Sequence, residues 1–475
     1  MKHYRMFLAI VLVLFFLGIP LVLSAAEQRI TPLGVAFDYK ARELKAPPHI
    51  SSKLMQLRNQ IATQKLSFQV GYTAAMDFDL VKIAVLKVPP NLAQQIRAQN
   101  ALAVKRVKEI QKITPIITSC SSTGSRFDWR PLGAVAPVKD QGQCGSCWDF
   151  ATIGAFEGSW RIINNEAIIA SEQDVLDCSG MGDCAYGGWA AFQYLRNIGV
   201  ATEASYPYHQ TDGTCNKYVT RPYRAFTWGY VGNDNYIPSV AALKWALCTY
   251  GPLWVSVRAT PAFQAYVSGV FDEHASGDSN HAVTLIGWDD SKKAWLIKNS
   301  WGTGWGDVCG YGAERGYMWI SYTSNSIGYA AAWVRAQSKM IALQCMANGK
   351  FVSAGNGGAA ALVANSTAVG LSETFEMVNA GFGKIALKSM ANGKFVSVDN
   401  GVAKSLIANR TAVESGTTFG TFFESGGDII LYSTANEHYV SANHLVAGQL
   451  IADFPGWYGM GLGPWETFEI VNAPH

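Results

Sequence analysis

The strongest constraint on the fold is a threefold internal repeat near the end of the chain. The segment Ile341–Ser353 returns as Ile385–Ser397 and, more loosely, as Ile429–Ser441, a step of 44 residues each time (385 − 341 and 429 − 385). A second element keeps the same step and begins at Leu362, Leu406 and Leu450. A repeat of this size cannot bury a core alone. We therefore predict that the three copies pack together around one shared core.

Each copy also carries the signals of short strands. Its apolar residues alternate, and turns are predicted at Asn348-Gly349, Asn392-Gly393 and Asn436-Glu437. Three such units can close a threefold barrel. The pattern resembles a β-trefoil of the fascin-like kind, covering Ser338 to Asn472. The Gln-x-Trp repeat of ricin-type lectins is absent, so the sugar sites of those lectins are not carried over.

The third copy carries an extra loop. Leu362 to Phe375 and Leu406 to Phe419 each span 13 positions (375 − 362 and 419 − 406), whereas Leu450 to Phe468 spans 18 (468 − 450). The excess contains Trp457 and Tyr458, two rings that could stack on a sugar face or hold an apolar partner. The alternative is that both rings plug one end of the barrel. Our hypothesis is that this module binds a carbohydrate or a surface protein.

The amino-terminal stretch indicates the compartment. Met6 to Val22 is apolar without a charge, a short basic region precedes it, and small residues follow at Ser24 to Ala26. This order is typical of a secretory signal peptide, here residues 1–26. An uncleaved anchor is the alternative, but Pro20 and the small residues favour cleavage. We therefore expect a secreted protein, extracellular or periplasmic, with no stable membrane insertion after cleavage and with disulfide bonds.

Composition excludes two other classes of protein. The chain has 475 residues, of which 49% are hydrophobic and 15% charged, so it is globular and long enough for several domains. Its formal net charge is only +3, which gives no basic footprint for nucleic acid. Disorder and nucleic-acid binding are thus both disfavoured.

Residues 27–124 have a different character from the rest. Apolar residues recur at helical spacing in Lys53 to Gln64 and in Asn91 to Ile113, and Leu66 to Val70 alternates like a strand. The block ends in a small, polar stretch, which is the kind of segment that proteases cut. We predict a removable segment that ends between Ser121 and Arg126.

The chemistry is expected to centre on Cys147. It lies in the run Gln-Gly-Gln-Cys-Gly-Ser-Cys-Trp, where Ser146 followed by Asp149 predicts a capping box and places Cys147 in the first turn of a helix. A helix N-terminus favours the thiolate. His281, at the start of a predicted buried strand, is the best imidazole partner, and Asn299 follows another strand and could orient that ring. Trp301 could shield their hydrogen bond from water.

These runs resemble the papain family of cysteine proteases over about Arg126 to Trp333. His281 follows Cys147 by 134 residues and Asn299 follows it by 152 (281 − 147 and 299 − 147), as that family's signature requires. The supporting motifs begin at Phe127, Pro137, Ser171, Gly187, Tyr206 and Asn299. The resemblance implies an α+β fold: a two-lobed peptidase domain, with a helical lobe and a β-barrel-like lobe, followed by the all-β trefoil. The expected domains are therefore 1–26, 27–124, 125–335 and 336–475.

The resemblance also implies roles for individual residues. Cys147 is the nucleophile, His281 the general base and then acid, and Asn299 the group that orients the imidazole. Gln141 and the backbone N–H of Cys147 form the oxyanion hole. The substrate site is lined by Gly187, Gly188 and Trp301. Implied disulfides are Cys144–Cys184 and Cys178–Cys215; a Cys248–Cys309 bond is a further hypothesis, and Cys345 is expected to be buried and unbonded.

Two departures from the family and one alternative chemistry remain. Asp149 stands where most relatives have alanine, and its carboxylate should oppose a thiolate at Cys147. Two residues, Ala185 and Tyr186, separate Cys184 from the glycine pair where papain has one, which affects one edge of the substrate groove. A redox or zinc role for Cys144 and Cys147 is disfavoured because no second Cys-x-x-Cys exists. No metal and no cofactor is expected.

The sequence thus predicts a secreted papain-like cysteine endopeptidase, made as a zymogen, that cleaves protein or peptide substrates and carries a C-terminal binding module. The alternative is a catalytically silent surface-binding protein on the same scaffold. Retention of all four functional groups in the site argues against the alternative.

Overall fold

The computed structural model describes residues 37–110, 119–233, 237–381, 384–398, 404–423, 428–443, 448–455 and 462–473, without the side chains of 105–110 and 423. The predicted signal peptide and the loop with Trp457 and Tyr458 lie outside these ranges. The chain divides into two units, Met1–Asp38 and Tyr39–His475, and every described helix and strand belongs to the second unit. Within the described residues, no helix is both long enough and apolar enough to cross a membrane.

The segment ahead of residue 111 is mainly helical, as predicted. Its helices are α1 (Tyr39–Glu43), α2 (Pro48–Gln64), α3 (Leu80–Ile83) and α4 (Leu92–Ile110), with a 3-10 turn at Ala74–Asp77 and a strand β1 at Phe68–Val70. Helix α2 buries Ile50, Leu54 and Leu57, which recur at the helical spacing that the sequence shows. The predicted strand is confirmed, because β1 pairs with a strand of the next region at Phe68 and Gly269.

The central region combines helices with a large sheet. The helices are α5 (Cys147–Asn164), α6 (Glu172–Cys178), α7 (Phe192–Asn197), α8 (Val240–Tyr250) and α9 (Pro261–Gln264), with a 3-10 turn at Arg130–Leu132. Helix α5 is the central one, since all but two of its residues are buried. Gly158 allows this burial, because a Cβ there would lie 2.7 Å from the carbonyl oxygen of Ala134 and 2.5 Å from the ring of Pro252.

The strands of this region are β2 (Arg126–Asp128), β3 (Gly182–Asp183), β4 (Gly187–Gly188), β5 (Ala225–Tyr230), β6 (Leu253–Val257), β7 (Tyr266–Phe271), β8 (His281–Asp289), β9 (Ala294–Lys298), β10 (Tyr317–Ser321) and β11 (Tyr329–Ala336). Eight of them join β1 in a nine-stranded sheet of order β1-β7-β10-β9-β8-β6-β11-β5, with β2 on β8. The other two, β3 and β4, pair with each other. Strands β8 and β9 are fully buried and antiparallel. Their pairing brings the start of β8 close to the end of β9.

The C-terminal region is all-β, as predicted. Its strands are β12 (Met340–Cys345), β13 (Phe351–Ser353), β14 (Val363–Ser366), β15 (Phe375–Gly381), β16 (Lys384–Ser389), β17 (Phe395–Val398), β18 (Leu406–Arg410), β19 (Phe419–Phe423), β20 (Ile429–Ser433), β21 (His438–Asn443), β22 (Gln449–Phe454) and β23 (Thr467–Asn472). All twelve belong to one sheet. Short 3-10 turns lie at Asn356–Gly358, Leu371–Glu373 and Ser415–Thr417.

The three copies share one core, which confirms the prediction from the repeat. Leu362 donates its backbone N–H to the carbonyl of Leu406 at 2.8 Å, and Leu450 donates to Leu362 at 2.8 Å. The predicted turns also repeat one contact: the side chains of Asn348, Asn392 and Asn436 donate to the carbonyls of Ala364, Ala408 and Ala452. Cys345 is a free, buried thiol, as expected.

The shared core allows a prediction about stability. Phe375, Phe419 and Phe468 occupy equivalent positions and are fully buried. Replacing one ring by a methyl group leaves a cavity, so Phe375→Ala should lower the free energy of unfolding of the C-terminal region by about 3–5 kcal/mol. Urea unfolding of the intact chain measures this. Leu371→Ala is the control, because Leu371 is 71% exposed; equal midpoints for both variants would contradict a shared core.

Candidate active site

Helix α5 begins at Cys147, as predicted, with Ser146 at its N-cap. Cys147 is a free thiol and is fully buried. Its sulfur lies 3.7 Å from the backbone oxygen of Val85, in the segment just after α3. The helix N-terminus favours a thiolate here, but the segment that contains Val85 covers the sulfur and disfavours the charged form. Burial raises the pKa of Cys147 to about 12, so the covered thiol is neutral.

The predicted capping box is wrong. The Ser146 hydroxyl lies 2.7 Å from the hydroxyl of Tyr208, which in turn donates to the backbone oxygen of Gln141 at 3.0 Å. The Ser146 hydroxyl, which was expected to cap the helix, therefore forms its hydrogen bond with Tyr208. The Asp149 N–H donates instead to the Ser146 backbone oxygen at 3.0 Å. Both carboxyl oxygens of Asp149 are buried without a hydrogen-bond partner among the described residues.

His281 and Asn299 lie together, as predicted. His281 opens β8 and Asn299 directly follows β9, so the antiparallel pairing of these strands places His281 Nε2 2.8 Å from Asn299 Oδ1. The ring of Trp301 lies 4.6 Å from the imidazole, and all three side chains are buried. Burial lowers the pKa of His281 to about 4, which keeps the ring neutral.

The imidazole and the thiol belong to one site. The backbone N–H of Ala282, next to His281, lies close enough to the sulfur of Cys147 to act on the pKa of the thiol, which it lowers against the larger effect of burial. His281 Nδ1 has no hydrogen-bond partner in the part of the chain that the structure describes, so this ring nitrogen is available for proton exchange. With Nε2 held by Asn299, the arrangement can pass a proton to and from a nearby sulfur.

Gln141 is held at the same site by contacts on both sides of its amide. Its Nε2 donates to the carbonyls of Cys144 at 2.7 Å and Ile83 at 3.0 Å, and its Oε1 accepts from the Ser300 hydroxyl at 2.6 Å. The orienting roles of Ser300 and Tyr208 were missed at the level of sequence. The only signal in the sequence concerned Ser300, which is adjacent to Asn299.

The segment after α3 occupies the groove beside Cys147. Leu86 forms a parallel bridge with Gly188, and Lys87 donates its N–H to the Gly188 carbonyl at 3.2 Å. Gly187 has a φ of 67°, and a Cβ there would lie 2.2 Å from the Val85 carbonyl oxygen. Only glycine therefore permits this close approach. The predicted substrate-site glycines line the groove that the segment fills.

The two residues between Cys184 and the glycine pair adopt a tight turn. The backbone N–H groups of Ala185 and Tyr186 both donate to the Asp183 carboxylate, at 2.9 and 2.7 Å. The side chain of Tyr186 is 74% exposed. The extra residue thus places an exposed aromatic ring next to the glycine pair.

Two of the three expected disulfides are present. Cys144–Cys184 and Cys178–Cys215 are confirmed. The Cys248–Cys309 hypothesis is wrong, because Cys248 is bonded to Cys120. Cys309 packs instead in a separate small cluster with Ile286, Leu296 and Trp319.

A group of buried charges lies behind the site. The Lys139 ammonium donates to Glu172 at 2.7 Å and lies 3.4 Å from Glu157. A cavity of about 10 Å³, the size of one water, is lined in part by Lys139, Glu172, Lys298 and Asn299. Burial raises the pKa of Glu172 to about 7 and raises that of Asp149 well above its ordinary value. The described residues contain no cluster of side chains suited to hold a metal ion.

Comparisons with known proteins agree with this geometry. A family model described as papain family cysteine protease matches residues 123–335. Digestive cysteine proteinase 1 of Homarus americanus is 39% identical over 220 residues, which are 44% of this chain and 65% of that protein. Zingipain-2 of Zingiber officinale is 40% identical over 199 residues, which are 40% of this chain and 86% of that protein. The chain belongs to the papain family of cysteine proteases.

The papain family is a family of cysteine-type peptidases, and this chain matches part of the length of its relatives. It spans only 65% of the length of the lobster proteinase and of a cathepsin L-like peptidase from Aedes aegypti. Among solved structures, the bromelain protease from Ananas comosus in complex with the E64 inhibitor is 35% identical. It covers 45% of this chain and 99% of its own, with a TM-score of 0.40. The family match accounts for the mixed α and β content of the central region.

Asp149 gives a prediction about pH. Its carboxylate raises the pKa of Cys147, so Asp149→Asn should lower that pKa by about 0.5–1 unit. Because burial also raises the pKa of Asp149 itself, the carboxyl is neutral in acid. The alkylation rates of the parent and of the Asp149→Asn variant should therefore be equal in acid and should diverge as the pH rises.

The measurement is the rate of alkylation by iodoacetamide against pH, after removal of the segment ahead of Arg126. Asp453→Asn, which changes an exposed carboxylate in the C-terminal repeats, is the control for the change in net charge. Superimposable profiles for Asp149→Asn and the parent over the whole pH range would show that the carboxylate does not act on the thiol.

Proposed function

We propose that this protein is an exported, papain-like cysteine endopeptidase made as a zymogen. The observation that carries the proposal is the grouping of Cys147, at the start of a helix, with an imidazole whose Nε2 lies 2.8 Å from Asn299. The proposed domains are a signal peptide at 1–26, a propeptide at 27–124, a peptidase domain at 125–335 and a binding module at 336–475.

The reaction follows from the roles of the side chains. The Cys147 sulfur attacks the carbonyl carbon of the peptide bond as His281 takes the thiol proton, and Asn299 holds the ring in place. The backbone N–H of Cys147 and the Gln141 side-chain amide stabilise the negative oxygen. His281 then gives the proton to the leaving amine, which breaks the C–N bond and leaves a thioester. Water, deprotonated by His281, attacks the thioester and releases the acid and the thiol.

Gly187, Gly188 and Trp301 are the proposed substrate-binding residues. The backbone of Gly188 already pairs with Leu86 and Lys87, which supports a role in holding an extended peptide. The substrate is therefore a protein or peptide whose backbone takes the place of this segment. The same occupancy supports an inhibitory role for the propeptide.

The C-terminal region is proposed to be a β-trefoil of the fascin-like kind that binds a carbohydrate or a surface protein. The common core at Leu362, Leu406 and Leu450 supports the threefold architecture. Such a module would raise the local substrate concentration without changing the chemistry. Trp457 and Tyr458 are the proposed contact residues.

Pull-down on cell-wall, chitin and collagen matrices tests the binding module. The intact chain with Cys147→Ala, which avoids self-digestion, is compared with the same chain carrying Trp457→Ala and Tyr458→Ala. Loss of binding with an unchanged circular dichroism spectrum is expected. Equal binding would show that the loop is not the site, and no binding by the parent would contradict the docking role.

The test of the enzyme itself is titration with E-64, the inhibitor that the bromelain structure contains. It is done after removal of the segment ahead of Arg126 and is followed by mass spectrometry of the labelled peptide. One equivalent of label on Cys147 is expected. The chain provides internal controls, because Cys309 and Cys345 are also free thiols and are buried. Label spread over all three, or none on Cys147, would favour the silent surface-binding protein.

A further inference from the structure

One disulfide joins two parts of the chain that processing is expected to separate. Cys120 lies ahead of the proposed cleavage stretch, whereas Cys248 lies on helix α8 of the peptidase region, and the two are bonded. Between Cys120 and strand β2, the chain forms an exposed turn from Ser121 to Ser125. The bond and the turn are adjacent in sequence, with the bond on the amino-terminal side.

We propose that the Cys120–Cys248 disulfide keeps the propeptide covalently attached after a cut between Ser121 and Arg126, and thereby keeps the active site covered. This inference rests on the proposed zymogen function. A cut in the turn produces a new chain end, but the fragment that ends at Cys120 or just after it remains bonded to α8. Activation then needs a second event.

The anchor on the enzyme side is firmly placed. Cys248 is one of the residues of α8, which also contributes Leu243, Ala246 and Leu247 to the main core. Both Cys120 and Cys248 pack against that core. The attachment point therefore belongs to the folded peptidase region and does not leave with the fragment.

Contacts elsewhere would make a tethered fragment rebind. The Thr73 hydroxyl donates to the Gln264 carbonyl at 2.7 Å, and the Gln264 side chain donates back to the Ala75 carbonyl at 2.8 Å. The Gln99 side chain donates to the Trp228 carbonyl at 2.8 Å. With one end tethered, these contacts re-form intramolecularly, at an effective concentration that dilution of the protein does not change.

Two events would release the fragment. A second cut on the amino-terminal side of Cys120 leaves that cysteine with the enzyme and frees everything before it. Alternatively, a dithiol reduces the bond: one dithiol gives two electrons and two protons to Cys120 and Cys248, which become thiols, and is itself oxidised to a disulfide. Either event separates cleavage from activation in time.

The first test asks whether the cut fragment stays attached. Ser122→Ile, Thr123→Glu and Ser125→Arg create a factor Xa recognition sequence in the exposed turn. Arg126→Ser replaces an exposed arginine that would block cleavage directly after that sequence. All four changes are made in a Cys147→Ala background that cannot digest itself. After the cut, one band on a non-reducing gel and two bands on a reducing gel are expected. Two bands under both conditions would overturn the inference.

The second test asks whether attachment keeps the site covered. The same turn variant with Cys147 intact is cut, diluted and labelled with E-64, beside a matched form that also carries Cys120→Ser and Cys248→Ser. The tethered form should label about 100-fold more slowly after dilution, and dithiothreitol should remove most of that difference. Should the double serine variant fail to fold, the tethered form with and without dithiothreitol makes the same comparison.

The outcomes distinguish this inference from the function on which it rests. Fast labelling of the cut, tethered form overturns the covering role but leaves the enzyme in place. Absence of E-64 label on Cys147 in every form overturns the proposed function itself, while the gel still decides whether the fragment is attached.

Discussion

Cys147→Ala is expected to lower peptide hydrolysis on the order of 10⁶-fold, because no other described group in the site can form the thioester. The sulfur at the start of α5 is a free thiol, and Ala282, which acts on its pKa, is adjacent to the imidazole that Asn299 holds. Initial rates on a fluorogenic peptide measure the loss. They are taken after removal of the propeptide, with active-site titration to count competent enzyme.

The repeat supplies a matched control for this change. Cys345 is a buried free thiol, and the equivalent positions of the other two copies hold buried serines, Ser389 and Ser433. Cys345→Ser should therefore leave both folding and hydrolysis near the parental values. Hydrolysis that survives Cys147→Ala at the parental rate would exclude a thiol mechanism.

Asn299→Ala should have a smaller effect, roughly 10- to 100-fold. The imidazole then loses the hydrogen bond that orients it but keeps its basicity. The loss should fall mainly on kcat, since Asn299 does not contact the substrate in the proposed mechanism. An effect as large as that of Cys147→Ala would indicate a second role for the amide.

The positions of three proposed site residues were predictable because each lies where the local sequence already marks a boundary. Cys147 begins a helix and His281 begins a buried strand. The first boundary was predicted from Ser146 and Asp149, and the second from the apolar run that follows His281. Asn299 was predicted to follow another strand, and the antiparallel pairing that brings it to the imidazole is seen in the structure. The family signature then supplied the roles.

The errors arose where distant residues compete for one group. A capping box depends on the Ser146 hydroxyl being free, but Tyr208, 62 positions away, takes it. The disulfide partner of Cys248 depends on where the fold places Cys120. The spacing of the cysteines along the sequence does not determine that position. The buried charges around Lys139 likewise come from separate elements and show no common pattern in the sequence.

The proposed propeptide, residues 27–124, is expected to have the other large effect, which is on the reactivity of Cys147. In the covered state, burial raises the pKa of the Cys147 thiol to about 12, whereas an uncovered thiol at a helix start beside an imidazole titrates near or below neutrality. At pH 7, the intact zymogen should therefore react with iodoacetamide at least about 10³-fold more slowly than the processed enzyme. Its rate should also rise steadily up to pH 10, while that of the processed enzyme levels off above its lower thiol pKa.

Rates of alkylation at Cys147, read by mass spectrometry of the labelled peptide, check this for both forms. The intact chain carrying Asp453→Asn is the control for a change in net charge. This substitution leaves the contacts of Val85 and Lys87 in the groove intact. The active form should begin between Ser122 and Phe127. Equal rates in the two forms, or an active form whose first residue lies near Glu27, would contradict inhibition by this segment, because Val85 would then still lie over the sulfur of a working enzyme.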